Sequence, residues 1–403
     1  GHPPRRLKPC PGGAAPGPPG YFQPEEAAMT PETEADLAGI IKQAEGPLRV
    51  EGGGTRPIGG ASNGARLSTA AMTGIETYEP GALTLVVRAG TPVAEVEAAL
   101  QAEGQRLAFE PMDHRGLLGT EGTPTIGGVV AANVSGPRRV QAGACRDFLL
   151  GVRFVDGQGR IVRNGGRVMK NVTGYDMVKL MAGSYGTLGV LTEVALKVLP
   201  SPRATGVLLC EGLDDAAAIG VLCRALGSPY EVSGAAHLQR GLDGAPVTMI
   251  RLEGFAESVA YRAAELQKLL ADAGRFTLET DPDRTAAGWR HVRDVVPFHG
   301  RAGDVWRLSV KPTDAPGIVA ALPGGEALYD WGGGLVWLLV PEGTGAAEIR
   351  QAVARRGGHA TRVRGAGTDA FPPLPAPVAA LQAGLRQRFD PRGILNPGLM
   401  AEA

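Results

Sequence analysis

RVEGGGTRPIGG, residues 49–60, sets five glycines and a proline in twelve positions. Without Cβ atoms, backbone N–H groups can meet directly whatever lies beside them. The stretch opens on Leu48-Arg49-Val50, read as a short strand, so the loop begins at a strand end. A glycine-rich turn placed there suits an anion, and a diphosphate is the usual guest. Two common versions do not fit. There is no GxxxxGK[ST] and no lysine nearby, which excludes a P-loop. Gly52, Gly53 and Gly54 are consecutive, and Pro57 with Gly59-Gly60 prevents an immediate helix, which excludes the GxGxxG dinucleotide fingerprint. On this stretch alone, a tight turn holding nothing stays open.

Two further stretches point to a ligand. GTPTIGGVVAANVSGPRR (122–139) combines Gly127-Gly128 with small residues and polar Thr125, Asn133 and Ser135. Small residues let backbone run along a flat ring, while amide and hydroxyl groups meet its polar edge. GSYGTLGVLTEVALKV (183–198) sets Gly186 and Gly189 just before a strand. The three loops are expected to line one extended ligand.

Around them, the first hundred residues read as alternating helix and strand. Thr30 is the expected N-cap and Pro31 the first helical residue, with Leu37, Ile40, Ile41 and Ala44 at helical spacing. Thr91-Pro92 repeats the device ahead of Val93, Val96 and Leu100. Asp156-Gly157-Gln158-Gly159 predicts a hairpin between 148 and 163. Along 190–198, Val190, Thr192, Val194, Leu196 and Val198 share one strand face. LPSPRAT (199–205) predicts a domain boundary. Beyond it, strand runs at 206–213, 247–255, 304–312, 326–340 and 359–365 mix with helical runs at 257–273, 285–296, 344–356 and 376–390. That mixture predicts an α+β domain, an antiparallel sheet with helices on one face. The organisation expected is a tail at 1–28, disordered or appended, with Met29 as a natural start; a first domain at 29–200; a second at 201–375; and a closing segment at 376–403.

The 403 residues carry 41 Lys plus Arg against 41 Asp plus Glu, so no global field favours nucleic acid or an anionic membrane. Glycine, 60 residues without a G-X-Y period, belongs to turns and close approaches rather than to collagen. Cys10, Cys145, Cys210 and Cys223 are scattered, which argues against a disulfide framework and against a cysteine-held metal. No apolar run nears the ~20 residues that span a bilayer. The setting expected is reduced and cytoplasmic.

The order and wording of these stretches resemble the vanillyl-alcohol oxidase type of flavoprotein, the PCMH-type FAD-binding family. The resemblance covers about residues 30–200 and FDPRGILNPG (389–398). It implies an α+β fold: an FAD-binding domain of two α+β subdomains under an α+β cap. It also implies that Gly52, Gly53, Gly54 and Thr55 hold the FAD diphosphate, with Arg56 and Gly59 in the same loop. Thr125, Ile126, Gly127, Gly128, Asn133 and Ser135 would line the diphosphate and isoalloxazine. Gly186, Gly189, Val190 and Leu191 would border the adenine end, and Asn396-Pro397-Gly398 would close near the ring.

Within that family, residues 152–198 and EALYDWGGGLVWL (326–338) are similar to the FAD-binding E-type subunits of bacterial glycolate oxidase. That similarity implies one subunit of a 2-hydroxy-acid dehydrogenase complex that oxidises glycolate to glyoxylate. Its partners would be a larger FAD-binding catalytic subunit and an iron–sulfur subunit that receives electrons, and any contact with the inner membrane would run through them. The alternatives are a self-sufficient FAD-dependent 2-hydroxy-acid dehydrogenase and a flavin-free structural subunit.

Some relatives attach FAD to a histidine beside the glycine loop; here Thr55 and Arg56 stand there. His114 reads as a surface residue and Cys145 as a buried inert thiol, so dissociable FAD is expected. Catalytic relatives carry a metal-binding HxGDGNxH segment where this chain has DWGGGLVW (330–337). Trp331 and Trp337 can neither bind a metal nor move a proton, so no metal is expected and no catalytic residue is assigned. His237, His291, His299 and His359 lack ligand spacing, with His291 and His299 the nearest to a pair. Arg138-Arg139 would meet a substrate carboxylate or an acidic partner, or else form a solvated pair. Lys170, Asn171, Tyr175 and Asp176 would contact the ribityl chain or cap a turn.

Overall fold

The computed structural model describes residues 28–60, 63–166, 175–367 and 369–400. The expected tail up to residue 27, and Lys170 and Asn171, lie outside the described residues. Chain entry into the fold differs from expectation. The first helix, Glu34–Gln43, is capped by Thr33 rather than Thr30. The Thr33 hydroxyl accepts from Asp36 N at 3.1 Å, and the Asp36 carboxylate accepts from Thr33 N at 3.2 Å. This reciprocal pair satisfies two orphan donors, which Thr30-Pro31 cannot do. Likewise Pro92, not Thr91, precedes helix Val93–Ala102, because the Thr91 hydroxyl is engaged with both Gly74 N and Gly74 O.

A five-stranded antiparallel sheet forms the larger part of the first domain. Its order is Ile75–Glu79, Thr84–Arg88, Val190–Lys197, Leu149–Val155, Ile161–Gly165. Val190–Lys197 is central, so Leu191 and Ala195 are buried as well as the alternating set, and only Glu193 and Lys197 are half-buried. The hairpin at 156–159 is present; the Asp156 carboxylate accepts from Gln158 N and Arg160 N, both at 2.9 Å. A second, smaller sheet pairs Leu48–Glu51 with Ala65–Ser68 in parallel.

The cap is an eight-stranded antiparallel sheet ordered Thr277–Glu279, Ala204–Glu211, Val247–Gly254, Gly234–Leu238, Glu326–Asp330, Leu335–Val340, Asp304–Ser309, His359–Arg364. Helices Asp215–Leu226, Ala256–Leu269, Ala315–Ala320 and Ala346–Ala354 cover one face, burying Leu222, Leu266, Trp306, Tyr329 and Leu338. The other face turns Ala236, Leu328, Leu335, Trp337 and Leu339 into a core shared with the first domain. Being covered on both sides, Leu335–Val340 is buried throughout.

Charge also joins the two domains. Glu253 from the cap meets Arg106 at 2.9 Å and Arg138 of the first domain, while Glu110 takes both amino groups of the cap's Arg251 at 2.9 Å. Arg138 is 4 % exposed, so it faces neither substrate nor solvent; the expectation of a free pair fails because the cap closes over it. After helix Ala376–Phe389 the chain returns to the first domain. Leu48 N donates to Ile394 O at 2.7 Å, and Asn396 N to Leu48 O at 3.0 Å.

Candidate functional site

The three glycine loops border one cleft of about 640 Å³. Gly52 to Gly60 form one wall. Pro124, Thr125, Gly127 and Gly128 form the second, and Tyr185, Gly186, Gly189, Val190 and Leu191 the third; Asn396 and Leu399 close it.

The loop glycines serve two ends. A Cβ on Gly53 would sit 1.6 Å from Thr123 O, and one on Gly52 would sit 2.3 Å from Thr125 Oγ1. On Gly127 it would meet Ala89 O at 2.7 Å, and on Gly189 the Phe154 ring at 2.6 Å. These four let walls of the cleft press against neighbouring chain. Gly54 is different, with φ +70° and open space around it. Among the described residues, none of the amide N–H groups from Gly52 to Arg56 donates a hydrogen bond within the protein. A run of free donors on a concave wall is an anion cradle.

Side chains complete the walls. Arg56 Nη2 donates to Gly128 O at 2.7 Å, tying the first loop to the second, while its Nε is sealed from solvent without a partner. Burial pulls its guanidinium below its ordinary value. Thr120 Oγ1 holds Thr55 O at 2.8 Å, and Thr125 caps the short helix Ile126–Ala131 through Gly128 N. Asn396 lines the cleft but uses its amide on the protein. Its Oδ1 accepts from Val50 N at 2.7 Å, and its Nδ2 donates to Tyr185 O at 2.9 Å.

Other expected site residues sit elsewhere. Ile126 points into the core. Asn133 Oδ1 accepts from Arg146 N and Ser135 Oγ from Cys145 N, both at 3.0 Å, so they build the turn before Cys145–Phe148. Asp176 caps Met177–Met181, and Tyr175 is exposed. Cys145 is buried, and burial pushes its thiol up.

His114 reverses its expectation. It is buried on the cleft wall, and burial, then the charge of Arg56, drive its imidazole down to about 3. Sequence alone hid this because the burial comes from residues far along the chain. His237 is enclosed beside Thr248 Oγ1 at 3.0 Å, and His299 Nε2 lies 2.7 Å from Asp294 O. Among the described residues no group of three or more His, Cys, Asp or Glu could hold a metal ion. Trp337 is buried in the shared core, and Trp331 Nε1 donates to Gly136 O at 3.0 Å across the domain boundary.

Two groups were missed. Asp330 is buried with Oδ1 2.7 Å from Trp331 N, and burial pushes its carboxyl up to about 7. Arg307 sits on strand Asp304–Ser309 with Val305, on the face turned to the first domain. A charge two residues after the apolar Val305 was the available signal.

The sequence pattern of a family described as "FAD binding domain" matches residues 25–165. Glycolate oxidase subunit GlcE of Escherichia coli (strain K12) is 40% identical over 357 residues, 88% of this chain and 92% of that protein. The chain belongs to the glycolate oxidase subunit GlcE family. Glycolate oxidase subunit GlcD of Bacillus subtilis (strain 168) is 31% identical over 49% of this chain and 43% of its own length. D-lactate dehydrogenase of Archaeoglobus fulgidus is 33% identical over 45% of this chain and 40% of its own length. A solved structure of alkyldihydroxyacetonephosphate synthase superposes with a TM-score of 0.66 at 18% identity, covering 92% of this chain and 76% of that one, and so shares the PCMH-type α+β fold.

Membership in the GlcE family makes this an FAD-binding oxidoreductase, and the cleft fits that cofactor. Free amides meet the requirement of two phosphates, the glycines let the walls of the cleft press close against neighbouring chain, and the volume lies within the ordinary range of ligand sites. Among the described residues no helix is long and apolar enough to cross a membrane.

Proposed function

We propose that this chain is the FAD-carrying subunit of a multi-subunit dehydrogenase that oxidises glycolate, or a similar 2-hydroxy acid, to the 2-oxo acid. The run of unengaged amides from Gly52 to Arg56 carries the reading. These donors, with Thr55 and Gly128, hold the diphosphate; Gly189, Val190 and Leu191 border the adenine end; Tyr185 and His114 stand at the ring end. Asn396 acts by holding Val50 and Tyr185 in register rather than by touching the cofactor. Bound FAD supplies a two-electron acceptor for the α-hydrogen and its electron pair. FAD is held without a covalent bond, because Thr55 and Arg56 stand beside the glycine loop where a linking histidine would be sought. Working partners are a larger FAD-binding subunit and an iron–sulfur subunit that carries electrons away, in the cytoplasm and at the inner membrane only through those partners.

The test is spectroscopic. Purified chain is expected to absorb near 370 and 450 nm, as oxidised flavin does, and to release the colour on acid precipitation. Glycolate added anaerobically is expected to bleach the assembled complex. Colourless chain that FAD cannot reconstitute, or native complexes lacking a second flavoprotein and an iron–sulfur protein, would overturn the proposal.

A further inference from the structure

Trp331 is held unusually. Its φ is +52°, a left-handed conformation that a bulky residue adopts only under constraint. Asp330 Oδ1 takes its backbone N–H at 2.7 Å, and its indole N–H reaches across to Gly136 O at 3.0 Å. The ring is thereby fixed where the two domains meet. Two guanidinium groups lie against it: Arg139 of the first domain with Cζ 4.6 Å from the ring centroid, and Arg307 of the cap at 5.2 Å.

Among the described residues neither guanidinium group has a hydrogen bond or an ion pair, although both residues are partly buried. Desolvating a guanidinium costs free energy that a carboxylate normally offsets, as it does for Arg106, Arg138 and Arg251 at this boundary. The nitrogens of Arg139 and Arg307 are not sealed from solvent as Arg56 Nε is. The charge of Arg307 is among those that hold the imidazole of His114, on the cleft wall, low. Two unengaged cations on a rigid aromatic ring, one from each domain, await an anion.

We propose that Arg139 and Arg307, held against Trp331, form the binding site for the carboxylate of the substrate, a small 2-hydroxy acid. The proposal rests on the dehydrogenase reading above. The arginines bind and orient; they take no proton.

The probe is oxalate, a carboxylate that cannot be oxidised in the same way, titrated by calorimetry into FAD-loaded full-length chain and into chain stripped of FAD. Wild type is expected to bind it, with neutral oxamide as the control that does not bind. Arg307→Met is expected to weaken oxalate by about tenfold or more, as loss of a charge-assisted hydrogen bond would, with the FAD content unchanged. Arg139→Met is expected to move in the same direction, and Arg307→Lys to fall between. Should Arg307→Met fail to fold, Arg139→Met and Arg307→Lys carry the same comparison. Wild type that ignores oxalate, variants that bind it as wild type does, or FAD lost together with oxalate would each overturn the proposal. If glycolate bleaches no flavin while Arg307→Met still loses oxalate, the dehydrogenase reading fails and the anion site stands.

Discussion

Replacing Glu253 by glutamine removes one of two carboxylates from a buried group of three arginines. Its side chain is 9 % exposed and faces Arg106 at 2.9 Å, Arg138 and, at 3.9 Å, Arg251. Glu110 alone then remains to Arg138 and Arg251, at 3.4 and 2.9 Å. Breaking a buried pair from one side typically costs about 3–5 kcal/mol, because the abandoned cations stay desolvated. Titration gives a second route to the magnitude. Burial alone would raise the Glu253 carboxyl, but the charges of Arg251, Arg138 and Arg106 outweigh it and hold it at about 2, against an ordinary 4.5. At 1.36 kcal/mol per pH unit that depression corresponds to about 3 kcal/mol. The sign follows from linkage: a depressed acid stabilises fully above pH 4.5, and that stability is lost as pH falls from 4.5 towards 2. Urea unfolding of wild type and Glu253→Gln at pH 7 is therefore expected to differ by about 3 kcal/mol, with the gap closing below pH 4.5. A difference under about 1 kcal/mol at pH 7, or one that does not change with pH, would refute the idea that this network latches the cap.

Gly53→Ala puts a methyl 1.6 Å from Thr123 O, so the first two loops must part; the flavin-to-protein ratio is expected to fall about tenfold, whereas Gly54→Ala, which meets no atom, is expected to act only through its φ of +70°. Asn396→Ala leaves Val50 N and Tyr185 O without their partners and is expected to cost about 1–3 kcal/mol in denaturant unfolding, with weaker FAD retention. His114 stays neutral in the fold down to about pH 3 while the unfolded chain takes its proton near 6.5. Wild type is thus expected to lose stability as pH falls from 6.5 to 3, and His114→Gln to lose less over that window; parallel acid-unfolding curves would count against a buried imidazole.

What the sequence disclosed were features whose cause is local. Glycine clusters at strand ends announced the three loops, and Asp156-Gly157-Gln158-Gly159 announced its hairpin. Helical spacing located Ala256–Leu269 and Ala376–Phe389 to within a few residues. Strand Gly234–Leu238 stayed hidden because GAAHL has no β-branched residue and is a strand only through its two neighbours. Helix Asp215–Leu226 was missed too, although Asp214 supplies an ordinary cap. The site residues divide the same way. Gly52 to Thr55 line the cleft through their own turn. Arg138, His114 and Arg307 owe their surroundings to the meeting of two domains, which no window of neighbouring residues records. Asn133 and Ser135 have the right chemistry for a ring edge, yet backbone amides of the next turn claim them first.

Strand Leu48–Glu51 carries the first glycine loop, and one of its borders is supplied by the returning segment at 394–396, with Val50 and Asn396 bonded across 346 positions. A ribosome emitting this chain therefore releases nearly all of it before the nest for the phosphates has its second side. Cofactor capture is expected late in biosynthesis, and a nascent chain halted ahead of residue 390 is expected to emerge with both domains largely laid out and a weaker grip on flavin.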